Sequence, residues 1–152
     1  MRRKAGGQRS RARVRTRGQA LVEFAFVAPI FFLLLFAIID FGRYVYYVQV
    51  LNNAAREGAR YAIVHGSNSF QPAGPAQNDP AVASVVRGYA VGVSGTGSLT
   101  ITSVWGNPPN PPINNRGSNV YVKVSYAFHS IIPVVPIPPI TINGESTLVI
   151  NN

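Results

Sequence analysis

The chain of 152 residues contains no cysteine, one tryptophan, one methionine, two histidines and only five acidic side chains. Without cysteine there is no disulfide, thiolate metal site or thiol nucleophile, so any folded part rests on its own core or on partners. His65 and His129 lie far apart in the sequence. Glu57, Asp79 and Glu145 each suit a structural role, as helix pair, helix N-cap and hairpin polar residue, so neither a catalytic triad nor a metal cluster emerges. The glycine-rich stretch VSGTGS at residues 93–98 lacks the lysine and following helix of a phosphate-binding loop. No enzyme activity, cofactor or metal is expected.

Positive charge is abundant, and it is local. Fourteen basic residues give a formal net charge of +9, but eight of them (Arg2, Arg3, Lys4, Arg9, Arg11, Arg13, Arg15 and Arg17) precede Gln19. After Gly18, six basic residues face five acidic ones. A basic arm of this kind can bind nucleic acid, and salt-dependent DNA binding would then vanish on removal of residues 2–17. That reading leaves the next segment unexplained. Between Glu23 and Asp40 runs FAFVAPIFFLLLFAII, and with QALV ahead of Glu23 it reaches about the twenty residues that cross a hydrocarbon core of roughly 30 Å. Arginines abutting such a run mark the side that stays cytoplasmic. The expectation is a single-pass protein of the cytoplasmic (inner) membrane, N-terminus inside and head outside, in contact with membrane lipid and not with nucleic acid. No A-x-A site follows the run, so signal-peptidase cleavage is not expected there. Arg2 and Arg3 stand too far from it to form a twin-arginine signal.

The apolar period continues past the run. Val45, Val48, Leu51, Ala55, Ala59 and Ala62 recur at helical spacing with no proline between residues 40 and 62. A helix from about residue 20 to about residue 64 would measure roughly 65 Å, half of it beyond the bilayer. Arg43, Tyr44, Tyr46 and Tyr47 arrive where rings and cations favour the membrane-water boundary. Asp40 with Arg43, and Glu57 with Arg60, are spaced as i,i+3 surface pairs. Gly42 and Gly58 each weaken a helix by about 1 kcal/mol relative to alanine, and Pro29 frees a carbonyl that lipid cannot satisfy. All three therefore mark candidate positions for packing against another helix.

The stretch from Arg17 to Ala62, and above all its segments GQALVEFA, IIDFGR and NAAREGAR, resembles the N-terminal region of TadE-like proteins. These are minor pilins or pseudopilins of tight-adherence (Flp-type) pilus systems, akin at their N-termini to type IV pilins. The resemblance implies a prepilin peptidase cutting between Gly18 and Gln19, which makes Glu23 the fifth mature residue, the position of the pilin-type glutamate. It also implies other pilin or pseudopilin subunits and the pilus assembly machinery as partners, with passage to a cell-surface pilus. Two readings of Glu23 stand. Its carboxylate pairs with the new α-amine at Gln19 of a neighbouring subunit and sets axial register, or it occupies a first helical turn, favoured by the helix dipole by about 0.3–1 kcal/mol. Left uncleaved, the chain would instead be a single-pass anchor displaying a binding or adhesion head.

The remaining sequence reads as a polar linker at 65–79 followed by a head at 80–152. Asp79 and Pro80 suit an N-cap and first helical position, and the following segment places Val82, Val85, Val86 and Tyr89 on one face. LTITSVW and VYVKVSYAF read as strands, the second with Val120, Val122, Val124, Tyr126 and Phe128 on one side. The proline-rich NPPNPPINNRGS reads as a loop and IIPVVPIPP resists strand pairing. Asn143 followed by Gly144 suits a type I′ hairpin between edge strands near Ile140 and Val149. The fold class expected is α+β, organised as leader (1–18), long helix (19–64), linker and an antiparallel-sheet head of three or four strands, the lollipop outline of pilin-like proteins.

Overall fold

The structure, a computed structural model, describes residues 11–93, 99–106, 112–132 and 138–151, with side chains from Gly18 onward. The first ten leader residues, most of the glycine-rich stretch and parts of both proline-rich segments lie outside these ranges. The order of elements is helix α1 (Arg11–Val64), helix α2 (Pro80–Tyr89) and strands β1 (Leu99–Trp105), β2 (Asn119–Phe128) and β3 (Ile140–Val149). The chain divides into two units, Met1–Ile39 and Asp40–Asn152, and α1 contributes to both. It begins at Arg11, earlier than expected, and stops at Val64. A long apolar helix leading into a small antiparallel sheet is the α+β class expected.

Within the second unit the three strands form one antiparallel sheet in the order β1-β2-β3. Burial alternates along all ten residues of β2, with Val120, Val122, Val124, Tyr126 and Phe128 inward, as a half-buried strand requires. Against that face lies the second half of α1. Leu51, Ala54, Ala55, Ala59 and Ala62 are fully buried there; most of these are small residues, so helix and sheet backbones approach closely. Trp105 and Ile150 close the core at one end, and Tyr44 and Tyr47 pack against it on the helix side.

Asp79 caps α2 as expected, its Oδ1 accepting from the Ala81 and Val82 amides at 2.8 and 3.2 Å. Its Oδ2 accepts from the Gly74 amide at 2.7 Å, and its own amide donates to Ser103 Oγ at 2.9 Å. One carboxylate thereby ties residues 65–79, which carry neither helix nor strand, to α2. The buried face of α2 is Val82, Ala83 and Val86. Tyr89, expected on that face, is half exposed, because α2 ends there and its ring turns outward.

The hairpin expected at Asn143 and Gly144 does not form. Both residues lie inside the continuous strand β3, opposite Ser125 and Val124 of β2. Gly144 faces α1, and a Cβ on it would collide with the Leu51 carbonyl. The glycine therefore makes room for a helix instead of turning the chain. Glu145, read as a hairpin residue, pairs across the strands with Lys123 at 3.2 Å.

Candidate functional site

From Gln19 to Ile39 α1 turns apolar side chains outward on every side. Leu21, Phe24, Phe26, Ile30 and Leu34 are 58–74% exposed. A helix apolar all round requires lipid or other apolar helices as its surroundings. Among the described residues it is the one helix long and apolar enough to cross a membrane, and a bilayer core takes about twenty residues of it.

Glu23 follows Gln19 by four positions, one helical turn or about 6 Å of rise, and both are exposed. The Glu23 carboxylate is thus open to a group from another molecule. Pro29 is exposed as well. No atom lies within 4 Å of where a Cβ would stand on Gly18 or Gly42, whereas one on Gly58 would run into Val86 of α2 and come within 3.4 Å of Val122. Gly58 is therefore occupied by packing inside this chain, while Gly18, Pro29 and Gly42 remain free for other contacts.

Where the apolar run ends, the helix meets the head through Asp40. This side chain is buried. Its Oδ1 accepts from Arg43 Nη1 at 2.7 Å, and its Oδ2 accepts from the Ile131 amide at 2.9 Å and from Ser130 Oγ. The Ser130 oxygen in turn accepts from the Ile132 amide at 3.1 Å. Asp40 was expected to make a local surface pair with Arg43; the pair exists, but the carboxylate also anchors a segment ninety residues away. No local spacing in the sequence carries that signal. The Arg43 guanidinium sits 5.2 Å from the Phe128 ring centroid and 5.7 Å from that of Tyr47, within cation–π range. Tyr44 and Tyr47 meet Phe128 edge-on at 5.8 and 5.7 Å, and Tyr47 meets Tyr126 at 5.5 Å. Tyr46 points elsewhere, its hydroxyl donating to the Val91 carbonyl at 3.2 Å.

Beside Tyr46 an open groove of about 700 Å³ is lined by Gln49, Asn52, Asn53, Arg56 and Tyr89. The histidines serve the backbone. His65 Nδ1 pairs with the Tyr61 carbonyl at 2.9 Å at the end of α1, and His129 Nδ1 with the Ala127 carbonyl at 3.0 Å. Among the described residues no group of three histidines or acids could hold a metal.

Residues 18–60 match a family model described as TadE-like protein. The match begins at Gly18 and ends inside α1, so α2 and the sheet lie outside it. No curated protein and no solved structure matches the chain. The matched stretch contains Glu23, Asp40, Arg43 and Gly58, so the similarity of this chain to TadE-like proteins lies in its helix-bearing segment.

Proposed function

We propose that the chain is a minor pilin or pseudopilin-like component of a tight-adherence pilus assembly or secretion system. A prepilin peptidase removes the arginine leader between Gly18 and Gln19. The mature subunit waits in the cytoplasmic membrane, its head extracytoplasmic, and joins other pilin or pseudopilin subunits through the apolar half of α1. In that assembly Glu23 of one subunit accepts the α-amine of Gln19 from its neighbour, and the exposed Pro29 and Gly42 are contact points between helices. The observation that carries this reading is the family match starting at Gly18, on a helix whose first exposed turns hold a lone carboxylate in an otherwise apolar surface. An intramembrane carboxylate is costly without a partner, and the amine released by cleavage is the nearest chemistry to supply one. The protein acts by assembly and not by catalysis.

Mass spectrometry of protein purified from membranes that contain the processing machinery tests it. A chain starting at Gln19 is expected. A chain that keeps its leader under those conditions turns the reading toward an uncleaved anchor that displays the head.

A further inference from the structure

We propose that the groove between α1 and the end of α2 binds an acidic saccharide, Arg56 taking a sugar carboxylate and the side-chain amides beside it taking the adjoining hydroxyls. Every residue that lines the groove belongs to the second unit, Asp40–Asn152.

Tyr46, Gln49, Asn53 and Arg56 follow one another along α1 at steps of three, four and three, which puts them on one face of the helix. A polar helix face is ordinarily just solvated. This one is walled, because Tyr89 turns outward where α2 ends and stands with Tyr46 at the rim of about 700 Å³ of concave space. Small-ligand sites span about 300–1,000 Å³.

Two of the lining side chains are already held in place. The Tyr46 hydroxyl donates to the Val91 carbonyl at 3.2 Å, and it fits there because the next residue is a glycine. A Cβ on Gly92, whose φ is +79°, would come within 3.1 Å of that oxygen. The Asn52 amide nitrogen donates to the Val48 carbonyl at 2.8 Å, which leaves Oδ1 to accept. Side chains fixed before a ligand arrives lower the ordering cost of binding.

Charge selects the ligand. None of the described residues that line the groove is acidic. Glu57, next to Arg56 in sequence, is paired with Arg60 at 3.5 Å, and among the described residues Arg56 forms no ion pair. An exposed guanidinium offers a planar fork of donors that matches a carboxylate. Beside it Gln49 and Asn53, both exposed, carry amides that donate and accept at once, as neighbouring sugar hydroxyls require. The half-exposed rings of Tyr46 and Tyr89 supply flat apolar surface for the C–H side of a pyranose. A peptide fits less well. Val50 is the one aliphatic residue among the described lining, so no apolar pocket anchors a side chain, and the helical walls leave no strand edge for a peptide to extend.

Calorimetric titration of the detergent-solubilised full chain tests the site, with trigalacturonate, its methyl ester and the peptide triglutamate as probes. Trigalacturonate is expected to bind, and the ester to bind at least about tenfold more weakly, since it forfeits a charge-assisted hydrogen bond. Arg56→Gln should bring the acid down to the ester's affinity, and Asn53→Ala should weaken both several-fold. Arg87→Gln, exposed on α2 and outside the lining, should change neither. Trp105 fluorescence verifies that each variant is folded. Absence of trigalacturonate binding overturns the proposal, as does equal affinity for acid and ester. Binding that survives Arg56→Gln also overturns it and points to the arginine leader as the seat of the anion. Triglutamate bound as tightly as trigalacturonate overturns the saccharide in favour of an acidic peptide.

Discussion

Gly144 of β3 lies so close to the Leu51 carbonyl of α1 that a methyl group there would occupy the carbonyl's own space. Backbone cannot yield as a side-chain tip can, so Gly144→Ala must push helix and sheet apart along the whole seam. Overpacking of a core costs about 1–3 kcal/mol, and this substitution belongs at the upper end. Urea unfolding of the detergent-solubilised full chain, followed by the fluorescence of the single buried Trp105, should show the midpoint fall accordingly.

Gly58→Ala should be milder. The added methyl meets a Val86 side chain and not backbone, and alanine returns about 1 kcal/mol of helix propensity. The two effects oppose each other, so the net loss should stay well below that of Gly144→Ala in the same unfolding experiment. Equal losses would mean that α2 cannot shift on α1.

Replacing Asp40 by alanine leaves the Ile131 amide and the Ser130 hydroxyl without their acceptor, and unsatisfied buried groups cost about 1–3 kcal/mol. The expected result is faster amide exchange at Ile131 and Ile132 and easier proteolysis at residues 129–132, with Trp105 little affected. Asp40→Asn keeps one acceptor oxygen and should lie between the two.

Glu23→Ala should leave membrane insertion and the unfolding of the head unchanged, since Glu23 is exposed and lies outside the unit that holds the core. Under the assembly reading it should abolish co-purification with other pilin or pseudopilin subunits. Normal assembly by this variant would remove the proposed amine pairing.

Asp79→Ala removes the acceptor for three amides, those of Gly74, Ala81 and Val82. Loss of an N-cap costs about 0.5–2 kcal/mol, and the tie to Gly74 adds to it. Hydrogen exchange should rise together in the first turn of α2 and around Gly74.

What could be read beforehand were features whose cause lies within a few residues. The alternation of β2 gives its buried face, and Asp79 before Pro80 gives the cap of α2. The long period through Leu51, Ala55, Ala59 and Ala62 gives the face of α1 that meets the sheet. Misreadings arose where a distant element decides. Asn143 and Gly144 are locally compatible with a tight turn, yet the approach of Leu51 makes the glycine a spacer inside a continuous strand. Asp40 looks like one half of a local ion pair until Ser130 and Ile131 return to it from the far end of β2. Nothing local distinguishes Tyr89, which the end of α2 leaves half outside, from Ala83, which is buried in its place. Gly18, Gln19 and Glu23, proposed for processing and assembly, stand out only as a motif, since all three are exposed.

The alanine-rich stripe on α1 also bears on how the protein is made. Ala54, Ala55, Ala59 and Ala62 leave the ribosome well before β2 and β3, the strands that cover them. During that delay the stripe stands uncovered, and apolar surface left open at this stage invites aggregation. Stabilisation by burial scales at roughly 25 cal/mol per Å², so methyl groups are poor adhesives compared with leucine or phenylalanine. Small side chains that bring backbones together in the finished head thus also keep the nascent helix from sticking while it waits for its sheet.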